Sequence, residues 1–120
     1  MAVDIAVQVI KGPYPGTVAA NDLDITETAG TVAGNSFKLT GREIMIARNT
    51  ATGAAGTLTI TSVADRKGRT ADITSYSIGA GEMIAFNFGN REGWDSGGVV
   101  NVTPSATTIK IAVLRIPITP

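Results

Sequence analysis

The chain has 120 residues, with 10 Lys+Arg balanced by 10 Asp+Glu and neither His nor Cys, so its formal net charge at pH 7 is zero. Without thiol or imidazole, this polypeptide alone forms no disulfide framework, no thiolate nucleophile, no Ser-His-Asp triad and no Cys- or His-ligated metal site. Charged residues make up 17% of the chain, below the usual value of about 25%, and no segment is strongly basic, which argues against binding nucleic acid through its phosphates.

The length is that of one domain, 1–120, large enough to bury a core. Met1-Ala2-Val3-Asp4-Ile5-Ala6 lacks the basic start and apolar run of a signal peptide, so the reading is a soluble chain made in the cytosol. No apolar stretch reaches the roughly 20 residues of a membrane span.

Apolar residues recur with period two, not 3.6, along most of the chain, which predicts an all-β fold. Val3, Ile5, Val7 and Val9 alternate with Asp4, Ala6, Gln8 and Ile10 as one half-buried strand. Lys11 to Gly16, with two Pro and two Gly, reads as a turn or extended loop. A short strand is predicted around Leu23, Ile25 and Glu27. Phe37 and Leu39 alternate before Gly41, and Ile44 and Ile46 alternate with Glu43, Met45 and Ala47. Leu58 and Ile60 stand between Thr57, Thr59 and Thr61, ahead of a charged turn at Asp65 to Arg69. Ile73, Tyr76 and Ile78 are out of phase, the signature of a bulge. Gly79-Ala80-Gly81 turns the chain into Ile84, Phe86 and Phe88, the most apolar face. Val100 and Val102 follow a glycine-rich loop, and Ile109, Ile111 and Val113 point inward from the last strand.

These segments amount to about eight or nine strands, which predicts a two-sheet, jelly-roll-like β-sandwich. The 16 Thr residues suit the wet faces of its strands. Charges fall largely in turns, which predicts sheet faces lined by Thr and Ala and nearly free of charge.

Few residues suggest chemistry. Asp22-Leu23-Asp24 with Glu27 has the spacing of a weak cation site but reads more simply as a solvated acidic loop. Glu92 and Asp95 form a carboxylate pair with nothing else to suggest a cleft. Trp94, the only Trp, is either an exposed platform for a sugar or a partner, or a plug over the end of the core. Arg66-Lys67-Gly68-Arg69 is the only basic cluster, either a grip for an acidic partner or a plain hairpin tip. Asn101-Val102-Thr103 matches a glycosylation acceptor but reads as ordinary strand. No enzyme, metal or cofactor is expected.

Several pieces carry a resemblance. Ile44-Met45-Ile46-Ala47-Arg48-Asn49 precedes a loop of small residues, and Thr57-Leu58-Thr59-Ile60-Thr61-Ser62 follows it. Asp72-Ile73, the turn Ala80-Gly81-Glu82 before Met83 to Phe88, and Ile109-Lys110-Ile111-Ala112-Val113-Leu114-Arg115 complete the set. This order resembles the small β-sandwich proteins of tailed bacteriophages encoded beside the major capsid protein, including capsid decoration, or cement, proteins. The first 35 residues lie outside the resemblance and are in part a candidate N-terminal arm.

The resemblance implies a protein on the outer surface of the virion, bound to the major capsid protein as a small homo-oligomer, a dimer or trimer. Candidate partner contacts are Val3, Ile5 and Val7 on the arm, Tyr14 in the proline turn, Arg66, Lys67 and Arg69 in the basic turn, and Arg91 and Trp94 in the glycine-rich loop. A tail or head-completion part and a carbohydrate-binding module centred on Trp94 are the alternatives.

Overall fold

The computed structural model describes residues 3–10, 24–88 and 92–116. Tyr14, Arg91 and the Asp22-Leu23 part of the acidic loop lie outside the described residues. What is described is all-β: ten strands in two mixed sheets packed face to face, a two-sheet β-sandwich. In chain order the strands are β1 Val3–Asp4, β2 Val7–Val9, β3 Thr28–Ala29, β4 Asn35–Lys38 and β5 Glu43–Asn49. There follow β6 Gly56–Thr61, β7 Ile73–Ile78, β8 Met83–Phe88, β9 Val99–Pro104 and β10 Ile109–Arg115. One sheet runs β1-β4-β9-β6-β7 and the other β2-β10-β5-β8, with β3 also paired to β10. Among the described residues no helix is long and apolar enough to cross a membrane.

The expected first strand is divided. β1 pairs in parallel with β4 of one sheet, and β2 pairs in parallel with β10 of the other. Between them the chain passes from sheet to sheet, and Ile5, at the crossing, is buried to 4% exposure. A strand that changes partners mid-way cannot keep one face inward. Val3 and Val9 accordingly stand exposed while Ile5 fills the core.

The strand expected at 23–27 forms later, at Thr28–Ala29, against Lys110 and Ile111. Gly30 then packs so tightly on Pro104 that a Cβ would lie 2.5 Å from Pro104 Cγ, which restricts the site to glycine.

Phe37, Leu39, Met45, Leu58, Ile60, Ile78, Phe88, Val100, Val102, Ile109, Ile111 and Val113 form one continuous core. On β5 the inward set is Glu43, Met45, Ala47 and Asn49, while Ile44 and Ile46 are only half-buried. Thus β5 turns the less apolar of its two faces to the core. The two polar groups this buries are fully bonded. Asn49 Nδ2 donates to the carbonyls of Ala54 (3.0 Å) and Ile78 (2.9 Å), and its Oδ1 accepts from Ala51 N (3.0 Å).

Glu43 Oε1 accepts from the backbone N–H groups of Thr40 (2.7 Å), Gly41 (3.1 Å) and Arg42 (3.2 Å). Its Oε2 takes the Thr40 hydroxyl (2.6 Å) and Arg115 Nε (2.5 Å). A buried carboxylate is tolerated when it is both paired and hydrogen-bonded. Glu43 is therefore the clasp joining the β4–β5 turn to the end of β10.

The bulge predicted near Tyr76 is present. Leu58 pairs with Tyr76 and Ile60 with Ile73, so Thr74 and Ser75 oppose the single residue Thr59. Ser75 adopts a positive φ of 53° and its N–H donates to Thr59 Oγ1 at 3.0 Å.

The two outer faces differ. Thr57, Thr59, Asn101, Thr103 and Ser77 line the outside of the sheet ending in β7 over β6, β7 and β9, while Lys38 on β4 and Asp4 on β1 put charge on the same side. The outside of the other sheet departs further from the expectation of nearly charge-free faces. Arg48 and Lys110 stand opposite each other there on β5 and β10, and Arg48 holds Glu27 through Nε (3.0 Å) and Nη2 (2.5 Å). That pairing, chiefly the hydrogen bond from Arg48, lowers the Glu27 pKa.

Candidate functional site

Two loops far apart in sequence meet at one end of the sandwich. The turn after β6 is organised by Asp65. Its Oδ1 accepts from the N–H groups of Lys67 (2.8 Å) and Arg69 (2.9 Å), and its Oδ2 pairs with Arg69 Nη2 at 2.7 Å. A short acidic side chain that bonds the backbone two and four residues on is what folds this charged stretch into a tight tip. Gly68, at φ 75°, completes it. The loop before β9 docks on the tip. Gly93 C=O accepts from Val63 N at 2.7 Å, and Glu92 Oε2 accepts from Arg66 N at 2.8 Å and from Arg66 Nε at 3.2 Å.

Trp94 lies beneath. Its ring meets Phe86 at 5.5 Å and Phe88 at 6.2 Å between centroids, both edge-on. Such pairs favour T-shaped contact because the positive edge of one ring approaches the negative face of the other. Of the two readings of Trp94, the plug describes its packing: the residue is half-buried against the core. A cavity of about 300 Å³ remains above it, lined among others by Asp65, Arg69, Thr70, Glu92 and Trp94.

The electrostatics are those of paired charges with exposed cationic ends. Asp65 is held below its ordinary pKa by hydrogen bonds from the Arg69 backbone and side chain, and Glu92 likewise by the Arg66 backbone and side chain. The arginine side chains nonetheless reach solvent, Arg66 at 91% and Arg69 at 74% exposure. This end of the molecule presents guanidinium groups around a half-buried Trp, a combination enriched at the centres of protein contacts.

The remaining candidates are distributed as follows. Arg66, Lys67, Arg69 and Trp94 are brought into one surface. Val3 is exposed and Val7 half-buried on the opposite flank, beside a cavity of about 310 Å³ lined by Asp4, Ile5, Val7, Phe37, Lys38, Val99 and Arg115. Ile5, expected beside them on an exposed arm, is instead buried in the core at 4% exposure, with only the edge of that cavity reaching it. The carboxylate of Glu92 is engaged by Arg66, and Asp95 accepts from Gly98 N. Among the described residues no cluster of three or more Asp or Glu side chains could hold a metal ion. Asn101 to Thr103 lie within β9, with Val102 fully buried.

Sequence reasoning missed a third surface, the flank between β7 and β8. Each strand ends its sheet, and between them opens an apolar groove of about 190 Å³ lined by Leu58, Ile60, Ile73, Tyr76, Ile84, Ala85 and Phe86. Tyr76 and Met83 are exposed there at 53% and 59%. The signal lay in the residues of β8, none of which is charged. No family model, curated protein or solved structure was found to match this chain.

Proposed function

We propose that this protein is a structural virion component of the capsid-decoration type, which binds the outside of an assembled bacteriophage head and bridges neighbouring major capsid protein subunits. One observation carries the reading beyond the resemblance of its strands. The basic turn and the Trp94 loop converge on a single exposed end, held together by backbone and Arg66–Glu92 bonds, with exposed arginines beside a half-buried Trp. A protein that binds only the assembled lattice stabilises it by mass action, in proportion to occupancy.

The test is co-sedimentation of the purified protein with expanded capsids that lack it, followed by cryo-electron microscopy of the decorated particles. Bound protein should appear on the capsid exterior with the 65–69 turn against the major capsid protein. Arg66→Glu, which alters an exposed side chain, should weaken binding roughly tenfold, the cost of reversing a charge at a contact centre. Failure to co-sediment would overturn the proposal.

Trp94 supports a second reading, because an aromatic ring beside paired carboxylates and guanidinium groups is also carbohydrate-binding chemistry. Glycan-array binding that is lost in Trp94→Ala would favour it.

A further inference from the structure

Among the described residues no segment crosses from sheet to sheet over the flank between β7 and β8, whereas the opposite flank is crossed by the N-terminal segment. There the N-terminal segment runs from sheet to sheet through Ile5. On the β7–β8 flank the two terminal strands are treated differently. Edge strands are normally blunted by bulges, charges or proline because their unpaired backbone invites another strand. β7 is blunted by its bulge at Ser75. β8, Met83-Ile84-Ala85-Phe86-Asn87-Phe88, has no charge and no proline, and pairs with β5 over six residues without a register shift. Among the described residues no strand lies on its outer side.

The hydrogen-bond directions of β8 follow from its neighbours. Asn49 N donates to Glu82 C=O on the β8 side of β5, whereas Thr50 N donates to Thr108 C=O and Arg42 C=O accepts from Ile116 N on the β10 side. Odd-numbered residues of β5 therefore face β8. Because Met45 lies opposite Phe86 and Ala47 opposite Ile84, the β5-directed groups of β8 belong to Ile84 and Phe86. Alternation along a strand then points the N–H and C=O of Met83 and Ala85 outward.

We infer that β8 is the self-association edge of this protein and pairs antiparallel with β8 of a second copy across a two-fold axis at Ala85. Three features select a second copy as the occupant. With the axis at Ala85, the two Ala85 residues exchange both backbone hydrogen bonds, as the outward direction of their N–H and C=O requires. The same register sets Ile84 opposite Phe86 of the second copy, twice, in the closer type of pair on the groove side, whereas a one-residue slip would set Ala85 opposite a residue whose N–H and C=O are turned toward β5. Self-pairing also brings no like charges together, since β8 is uncharged and the chain as a whole is neutral. The interface is thus isologous, with the same patch used on both sides. It joins two four-stranded paths into one continuous sheet and covers the apolar groove. The inference stands independently of the capsid reading.

Sedimentation equilibrium on the full chain should give twice the chain mass of 12.3 kDa. Ala85→Pro removes an outward N–H and no bond to β5, a position where an edge strand accepts proline. It should return the mass to 12.3 kDa with an unchanged circular dichroism spectrum. Ala85→Lys, which sets two ammonium groups across the axis, should do the same and serves if the proline variant fails to fold. Because the chain has no Cys, Ala85→Cys should form a disulfide-linked dimer under mild oxidation, and Thr107→Cys, exposed elsewhere, should not. A monomeric or trimeric wild type, or a dimer that survives both substitutions at Ala85 with no Ala85→Cys cross-link, overturns the inference.

Discussion

Glu43 is a group whose importance its sequence position hides. Burial by itself would raise its pKa, but the hydrogen bonds from the Thr40 hydroxyl, Arg115 and the backbone of Thr40 and Arg42 outweigh it and bring the value from 4.5 to about 2. A carboxylate with a depressed folded-state pKa contributes stability that is present above its unfolded pKa and is lost as pH falls through the folded one. The contribution is roughly 3 kcal/mol, and it should disappear between about pH 5 and pH 2. Denaturant unfolding across that range should show the loss in wild type. In Glu43→Gln the acid-dependent loss should shrink by about that amount, while stability at neutral pH falls by about 3 to 5 kcal/mol as Arg115 loses its partner.

Ser75 is a smaller case of the same kind, a residue held away from its preference by its surroundings. A non-glycine residue in the left-handed region costs about 1 kcal/mol or more. Ser75→Gly should therefore raise the unfolding free energy by about 1 kcal/mol, and Ser75→Val should lower it.

At the scale of the element, period-two reading succeeds where a strand keeps one partner sheet and one apolar face. Leu58 and Ile60 on β6, and Ile109, Ile111 and Val113 on β10, are inward as their spacing requires. It fails where tertiary contacts outweigh local pattern. On β5 hydrophobicity favours Ile44 and Ile46 as the core face, yet the bonding available to Glu43 and Asn49 sets the opposite orientation. The 3–9 segment alternates without a break, and nothing local marks Ile5 as the point where it changes sheets. Trp94 was undecidable from sequence because its neighbours Phe86 and Phe88 come from another strand.

The sheet crossing makes a quantitative claim. Ile5 plugs the seam between β1 and β2, so Ile5→Ala should cost about 2 to 5 kcal/mol, the range for a large aliphatic residue removed from a packed core. The equally apolar Val9, exposed at 52%, should cost well under 1 kcal/mol when changed to Ala. Thermal or denaturant unfolding of the two variants separates a sealing strand from a loose arm.

At the scale of the whole molecule, the flanks and ends divide the surface by chemistry. Among the described residues one flank is crossed by the N-terminal segment, the other carries the apolar groove beside β8, and one end gathers exposed arginines beside a half-buried Trp. With no His in the chain, no side chain with an ordinary pKa titrates between about pH 6 and pH 8. The unfolding midpoint should stay nearly constant over that range, and a steep change inside it would expose a strongly shifted group.

The position of β10 has a consequence for synthesis. This strand lies at the centre of its sheet and pairs with β2, β3 and β5, so partners made early wait for residues 109–115. While the ribosome is still upstream, β5 and β8 can pair and every strand of the other sheet has been made, but the β10 side of β5 stays unpaired. Closure of the sandwich is therefore a late event, completed after residue 115 clears the exit tunnel. In that interval the β5–β8 pair exposes both of its edges, and of these the folded sheet leaves only the outer edge of β8 without a strand among the described residues.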